Sequence, residues 1–262
     1  MDRPIVSLVM PAYNEGKTIE EVFRRVESSL EQSGLKYELV VVDDGSQDDT
    51  RKKTIRYAKD NDHVIVLGFK KNMGKGYAIK MGLTYSKGDI VIILDCDLNI
   101  NPSWIVNYVN ALKYGDIIIA SKWHPKSEVN IPLIRRILSH GFNVLVKLLT
   151  GLRLGDTQTG LKAMRRHAAK RMASSLAVKR YAFDVELLTL ANLYGFKIIE
   201  LPVVLKLQGL FNFREVWRMF LDLLGIAYRL RIIKYYQRIA DSSEPESLGS
   251  SCSVIWPPHN SN

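Results

Sequence analysis

Two carboxylates two residues apart, Asp95-Cys96-Asp97, close an apolar run in this chain of 262 residues. Held that near each other they repel unless a cation lies between them, and the simplest such cation is divalent. Magnesium and manganese take oxygen ligands and commonly bridge one or two carboxylates to substrate phosphates. Asn99, two residues further on, offers a carbonyl oxygen or a hydrogen bond to the same centre. A solvated Asp-rich turn is the plain alternative, and the position just after Val91–Leu94 weighs against it. Asp43-Asp44-Gly45-Ser46 follows another apolar run. As a tight turn it would cap the next helix; as a site its carboxylates would accept the ring N–H of a nucleobase, with Tyr13 packed on the base. Asn72, Gly74, Lys75 and Gly76 open a helical stretch, where exposed backbone, the helix N-terminus and a full positive charge suit an anion. An ordinary glycine-rich helix start is the alternative there.

Such groups act together only if the chain brings them to one place. Over residues 1–122 a short β-branched run, a polar turn and a helical stretch alternate. The runs Ile5–Met10, Leu39–Val42, Val64–Gly68, Ile90–Leu94 and Ile117–Ala120 have strand length, with helical patterns over 17–31, 49–60, 74–86 and 102–113 between them. Pro102 suits the first turn of the last helix, where its missing N–H costs nothing. The alternation predicts an α/β fold, a mainly parallel sheet with helices on both faces. Ligands bind such sheets at the carboxyl ends of the strands. The segments Pro11-Ala12-Tyr13-Asn14-Glu15-Gly16, Asp43-Asp44-Gly45-Ser46 and Asp95-Cys96-Asp97-Leu98-Asn99 are therefore expected at one sheet edge. The second half is less regular: a helical stretch Pro132–Thr150, the polar segment Asp156-Thr157-Gln158-Thr159-Gly160, a strand-like segment, a helix containing Phe183-Asp184-Val185-Glu186, and a late strand over Ile198–Leu205.

Taken in order, Pro11-Ala12-Tyr13-Asn14-Glu15, Val41-Val42-Asp43-Asp44-Gly45-Ser46, Asn72-x-Gly74-Lys75-Gly76 and Asp95-x-Asp97 resemble the family 2 glycosyltransferases, which have the GT-A fold. Asp156-Thr157-Gln158-Thr159-Gly160-x-Lys162 and Phe183-Asp184-x-Glu186-Leu187 narrow the resemblance to the polyprenyl-phosphate hexosyltransferases, a branch that includes dolichyl-phosphate mannose synthase and dolichyl-phosphate glucosyltransferase. The resemblance covers about residues 4–207. It implies that Pro11, Tyr13, Glu15, Asp43, Asp44 and Lys75 hold a nucleotide sugar, GDP-mannose or UDP-glucose. It implies that Asp95 and Asp97, with Asn99 at a position where the mannose synthases commonly have Gln, hold magnesium or manganese at the diphosphate. Lys122, where that family has Arg, would contact the acceptor phosphate together with Arg135 and Ser139, with Arg136 as an alternative for Arg135. Asp184 would orient sugar or acceptor, or would serve as a polar helix residue at a seam. Catalysis would then fall to Asp97, Asp184, Lys122 and Arg135. The implied reaction is inverting attack by a polyprenyl (dolichyl) phosphate on the anomeric carbon, which gives a β-linked sugar.

The remaining sequence bears on partners. Between Phe211 and Arg238 the apolar residues Phe213, Trp217, Phe220, Leu221, Leu224, Tyr228, Ile232 and Tyr235 recur mostly at three- and four-residue spacing among arginines. That pattern suits a helix lying at the headgroup level of a membrane. Packing of the same stripe on the sheet is the alternative, and the two are compatible. No stretch of about 18 uncharged apolar residues exists for a standard spanning helix, and no signal peptide is expected before the first strand. The expected organisation is a GT-A catalytic domain over 1–207, membrane-interfacial amphipathic helices over 208–240 and a disordered polar tail over 241–262. The expected location is peripheral, on the cytoplasmic side of a membrane. Lysine and arginine number 37 against 27 acids, a net charge of +10, which fits anionic headgroups. The same charge would fit a nucleic-acid-binding module, but the basic residues are spread along the chain with no nucleic-acid motif, so no nucleic-acid partner is expected. A family 2 enzyme with a saccharide acceptor is the nearer alternative, and it would need a carboxylate base beside the acceptor hydroxyl. With Cys96 and Cys252 as its only cysteines, the chain supports neither a disulfide framework nor a four-cysteine zinc site.

Overall fold

The computed structural model describes residues 5–97, 99–206, 213–241 and 252–256. In it the β-branched runs of the first half become parallel strands: β1 (Val6–Ala12), β2 (Tyr37–Asp43), β3 (Val64–Gly68), β4 (Ile90–Ile93) and β5 (Ile117–Ala120). Helices α1 (Ile19–Ser33), α2 (Thr50–Lys59), α3 (Lys75–Tyr85) and α4 (Trp104–Ala111) alternate with them. Successive strand residues face opposite sides of a sheet. Accordingly Val9, Val40 and Val42 join one buried cluster, and Leu8, Leu39 and Val41 join the other, each covered by helices. Helix α1 shows how the sequence meets that surface. Ile19, Val22, Phe23, Val26 and Leu30 recur at helical spacing and are buried, and Gly34, at φ 66°, ends the helix in the left-handed conformation. Burial of a side chain like Phe23 contributes about 1.5–3 kcal/mol.

The second half supplies β6 (Glu128–Asn130), α5 (Leu133–Thr150), β7 (Lys162–Arg165), α6 (Arg166–Ser175), α7 (Phe183–Leu193), β8 (Ile198–Leu201), β9 (Val204–Lys206), α8 (Phe213–Ala227), α9 (Tyr235–Asp241) and β10 (Ser253–Trp256). Among the described residues the main sheet has eight strands in the order β10-β3-β2-β1-β4-β7-β5-β8, and β6 pairs with β9 in a small second sheet. The ends of β1, β2 and β3 are level, since Ala12 stands opposite Asp43 and Asp43 opposite Gly68. Strand β7 runs antiparallel between β4 and β5, with Lys162 opposite Ile93 and Ile119. Its first residue therefore lies where its neighbours end, which brings the segment before it, Asp156 to Gly160, to the same edge as the other loops.

Several local expectations are corrected. The late strand expected over Ile198–Leu205 is two strands, because Pro202 has no N–H to continue a ladder. Helix α4 starts after Pro102, which sits in the turn before it. Beyond α8 a π-helical segment, Tyr228–Ile232, and Lys234 at φ 51° separate α8 from α9, so the C-terminal stretch is broken. Residues 253–256, expected in a disordered tail, pair antiparallel with β3, because the β-branched and aromatic run Val254-Ile255-Trp256 covers that sheet edge. The start of the expected C-terminal stretch at Phe211, and the tail residues 242–251 and 257–262, lie outside the described residues. Among the described residues no helix is long and apolar enough to cross a membrane.

Candidate active site

The loops beyond the level strand ends are tied to one another. Asn14 adopts φ 57°, and from there its N–H donates to Ser46 Oγ at 3.0 Å while its Oδ1 accepts from Gln47 N at 2.9 Å. Asp44 accepts from Met73 N at 2.7 Å and from Gly74 N at 2.9 Å, which joins the second loop to the third. Gly45 has φ 72°, and a Cβ there would lie 2.6 Å from Asn72 N, so the contact between these loops requires glycine.

Between these loops and α8 lies a cavity of about 540 Å³. Pro11, Tyr13, Glu15, Asp44, Lys75, Asp95 and Asp97 line it, and the second half adds Arg180, Tyr181, Glu215, Arg218, Met219 and Asp222. A smaller cavity, about 170 Å³, adjoins it, and Asp95 and Asp97 line both. The smaller one is otherwise built from Asn99, Lys122, Arg135, Ser139, Gln158, Thr159 and Gly160, with Leu94, Ile100 and Leu205 as its apolar surface.

The carboxylates at the junction are under electrostatic load. Asp95 Oδ2 accepts from Lys75 Nζ at 2.8 Å, while Oδ1 is buried with no hydrogen-bond partner among the described residues. Asp97 accepts from Asn99 N at 3.0 Å and from the Asn99 side-chain amide. Burial, and then the charge of Asp95, holds the Asp97 carboxyl above the ordinary carboxylate range. Burial raises Glu15 too, opposed by the Thr18 hydroxyl and reinforced by Asp97, Asp48 and Asp95. Burial pulls Lys75 down, but the Asp95, Asp184 and Asp97 charges outweigh it and hold the ammonium above its usual value. An orphaned carboxylate oxygen next to a second, crowded carboxylate is the arrangement a divalent cation relieves, and the oxygen donors suit magnesium or manganese. These residues fit such an ion.

Most of the residues read from the sequence meet here, and three do not. Asp43 is fully buried at the end of β2, where it accepts from Arg51 Nε at 2.5 Å and Ser46 N at 3.2 Å; it braces the loop and faces neither cavity. Asp184 pairs with Lys162 at 2.6 Å inside the protein, where every residue of α7 from Phe183 to Ala191 is buried. Lys162 Nζ also donates to Thr159 O at 2.7 Å, so the pair positions the loop beneath Asp95. Arg136 is exposed, stands 5.8 Å from the Trp123 ring centre and lines neither cavity. Asn99 lines the smaller cavity but spends its amide on Asp97, so it orients that carboxylate. Lys122 Nζ is held 2.9 Å from Asp156 Oδ1. Burial opposes ionisation of Asp156, yet Lys122, the Thr159 hydroxyl and two backbone N–H groups keep its carboxyl below the usual value. Sequence reasoning missed Arg180, Tyr181 and the inward face of α8. The one signal for α8 was a polar row at 215, 218 and 222, opposite the aromatic stripe.

Residues 7–172 match the family model described as glycosyl transferase family 2. Over 256 residues the chain is 32% identical to the dolichyl-phosphate beta-glucosyltransferase ALG5D of Trichomonas vaginalis, an overlap of 88% of this chain and 76% of that protein. It is 35% identical over 217 residues to the dolichyl-phosphate beta-glucosyltransferase of Homo sapiens, covering 76% of this chain and 66% of that protein. This chain thus spans about two thirds of the human relative's length. Among solved structures, glucosyl-3-phosphoglycerate synthase from Mycobacterium tuberculosis, in complex with uridine diphosphate, superposes with a TM-score of 0.65 over 86% of this chain and 79% of that one, at 22% identity. At that identity the likeness bears on the fold.

Proposed function

The chain belongs to glycosyl transferase family 2 and has the GT-A fold, and on that premise we propose that it transfers glucose from UDP-glucose to a polyprenyl (dolichyl-type) phosphate at a membrane surface. The observation that carries the choice of acceptor is the lining of the smaller cavity. Among the described residues its lining has no carboxylate apart from Asp95 and Asp97, whereas Lys122, Arg135 and Ser139 all reach it. A sugar hydroxyl must lose a proton and would need a base there. A phosphate monoester, whose second pKa is about 6, is already nucleophilic near neutrality and needs placement and charge neutralisation instead. Arg135 and Ser139, one helical turn apart on α5, present a guanidinium and a hydroxyl to such a group.

The larger cavity then takes the donor. Asp44 retains acceptor capacity beyond its two backbone partners for a uracil N–H, Tyr13 offers a ring face, and Lys75 neutralises diphosphate charge. A phosphate oxygen bonds to the anomeric carbon as that carbon's bond to the diphosphate breaks, so UDP leaves and the sugar is inverted to the β-linkage. A magnesium or manganese ion held by Asp95 and Asp97 supplies Lewis-acid neutralisation of the leaving diphosphate when bound. The glucosyltransferase names of the relatives favour UDP-glucose over GDP-mannose.

The surroundings of the smaller cavity suit a lipid-borne phosphate. While Arg135 and Ser139 face inward, α5 exposes Leu133, Ile134, Ile137, Leu138, Leu145 and Leu148. Helix α8 packs beside α5, and Arg231 Nη2 donates to Leu148 O at 2.8 Å. An apolar surface bordered by the exposed Arg136, Arg214 and Arg231 matches an anionic bilayer surface. The test is a panel of UDP-glucose and GDP-mannose, each with a polyprenyl phosphate, a free polyprenol or a saccharide, in magnesium or manganese. Product is expected from UDP-glucose with the polyprenyl phosphate alone; product from a saccharide or free polyprenol would overturn the acceptor, and product from GDP-mannose alone would overturn the donor.

A further inference from the structure

Helix α8 belongs to two surfaces. Glu215, Arg218, Met219 and Asp222 line the donor cavity. Trp217, Leu221, Leu224 and Tyr228, continuing into the π-helical segment, are all large, apolar and exposed. At about 100° of rotation per residue these two sets lie on nearly opposite sides of one cylinder. Leu223 and Ile226, on the inward side of the helix, are fully buried and anchor it in the core.

Its inward face is mostly polar, and among the described residues Asp222 Oδ2 is buried there without a hydrogen-bond partner. A second tie joins the C-terminal helices to the same cavity. Tyr236 donates to Glu186 Oε1, and Arg229 Nη2 stands 3.7 Å from the same oxygen. Glu186 Oε2 accepts from Ala177 N at 3.0 Å and Val178 N at 2.7 Å, at the head of the loop that carries Arg180 and Tyr181 into the donor cavity. The Val178 carbonyl packs so closely on Gly76 that a Cβ there would lie 2.5 Å from it, next to the turn whose N–H groups hold Asp44. One buried acid thus fixes both the C-terminal helices and the wall of the donor cavity.

We propose that α8 couples membrane to donor: seating its outward face on a phospholipid surface and filling the cavity on its inward face with a nucleoside diphosphate favour the same helix position, so each tightens the other. The coupling rests on the membrane docking proposed above and adds to it the regulation of the donor site. Linkage makes the effect reciprocal: the factor by which vesicles tighten nucleotide binding equals the factor by which nucleotide tightens vesicle binding. Biologically, the donor would then be held firmly where the lipid acceptor is present.

The test uses the full chain with Mn²⁺, UDP and vesicles of phosphatidylcholine and phosphatidylglycerol that contain no polyprenyl phosphate. UDP affinity is measured by calorimetry with and without vesicles, and vesicle affinity by flotation with and without UDP. Both are expected to tighten by a common factor of about tenfold, within the usual range for coupled sites. Leu221→Asp with Leu224→Asp should weaken vesicle binding and abolish the vesicle effect while leaving vesicle-free UDP affinity unchanged, which also shows that the variant is folded. Tyr236→Phe should keep vesicle binding and lose most of the common factor. Vesicle binding by the wild type with unchanged UDP affinity would overturn the coupling alone. Absence of vesicle binding would overturn the membrane docking and the coupling with it.

Discussion

Replacing Gly160 by alanine is the smallest change that reaches the carboxylate pair. A Cβ at that position would stand 2.6 Å from Asp95 Cγ and 3.2 Å from Asp95 Cβ, and closer still to Oδ2. Carbon atoms in contact need about 3.5–4.0 Å, so the Asp95 carboxylate has to move by about 1 Å. The atoms in the way belong to a side chain, and Gly160 is not among the glycines with positive φ, so the backbone is not strained. The lost freedom of the unfolded chain contributes about 0.4–1 kcal/mol of stability, which offsets part of the roughly 1–3 kcal/mol that crowding Asp95 costs, so the melting temperature should fall by no more than about 10 °C. A misplacement of about 1 Å at a reacting centre costs about 100-fold, so kcat/KM should fall by about that factor, or about 2.7 kcal/mol of transition-state stabilisation. Initial rates with UDP-glucose and a polyprenyl phosphate, run beside a thermal melt, read both quantities. Wild-type turnover from a variant with wild-type melting would refute the placement of Asp95 at the reacting centre.

Arg135→Ala should raise the KM for lipid phosphate by tenfold or more, on the order of one lost charge-assisted hydrogen bond, and leave UDP affinity unchanged; a loss confined to UDP affinity would mean that the two cavities are assigned the wrong way round. Asp156→Asn leaves the Lys122 ammonium buried without its counter-charge and should cost about 3 kcal/mol, or about 6–12 °C in a thermal melt. Because the Asp156 carboxyl is held below its ordinary value of 3.8, its contribution is fully present above that pH and is lost as pH falls through the lower folded value. The melting temperatures of wild type and variant should therefore converge on acidification, and a constant gap would contradict the ion pair. Lys162→Met alone should cost about 3–5 kcal/mol, while Lys162→Met with Asp184→Leu should recover most of it, because an apolar pair needs no mutual charge balance. A double variant no more stable than the single one would show that Asp184 does more than balance Lys162.

The frame was legible in the sequence because its strands are buried on both faces and read as β-branched runs between polar turns. Val64–Gly68 and Ile117–Ala120 coincide with the observed strands. The turns after β1, β2 and β4 were legible for the same reason, as chemistry-bearing residues cluster where such strands end. What the sequence did not carry was the direction of individual side chains. Asp43 and Asp44 are adjacent and chemically identical, yet one ends a strand with its carboxylate on Arg51 and the other faces the cavity. Asp184 looked available because its partner, Lys162, lies far away in sequence and becomes adjacent only through the antiparallel insertion of β7. Helix α5 departs from the usual pattern: Leu133, Ile134, Ile137, Leu138, Leu145 and Leu148 are exposed while the polar Asn143 is buried. The inward face of α8 was not legible because Glu215, Arg218 and Asp222, behind an apolar stripe, have the spacing of an ordinary solvated helix face.

The central claim is that one cation on Asp95 and Asp97 stands where donor diphosphate and acceptor phosphate meet. Phosphorus NMR of the protein with UDP and a short-chain polyprenyl phosphate measures this directly, with Mn²⁺ titrated against a Mg²⁺ reference. Protein-dependent paramagnetic broadening of both the diphosphate and the monophosphate resonances is expected, and it should vanish in Asp95→Asn with Asp97→Asn. Broadening of the diphosphate alone, or broadening that survives in that double variant, would contradict the claim.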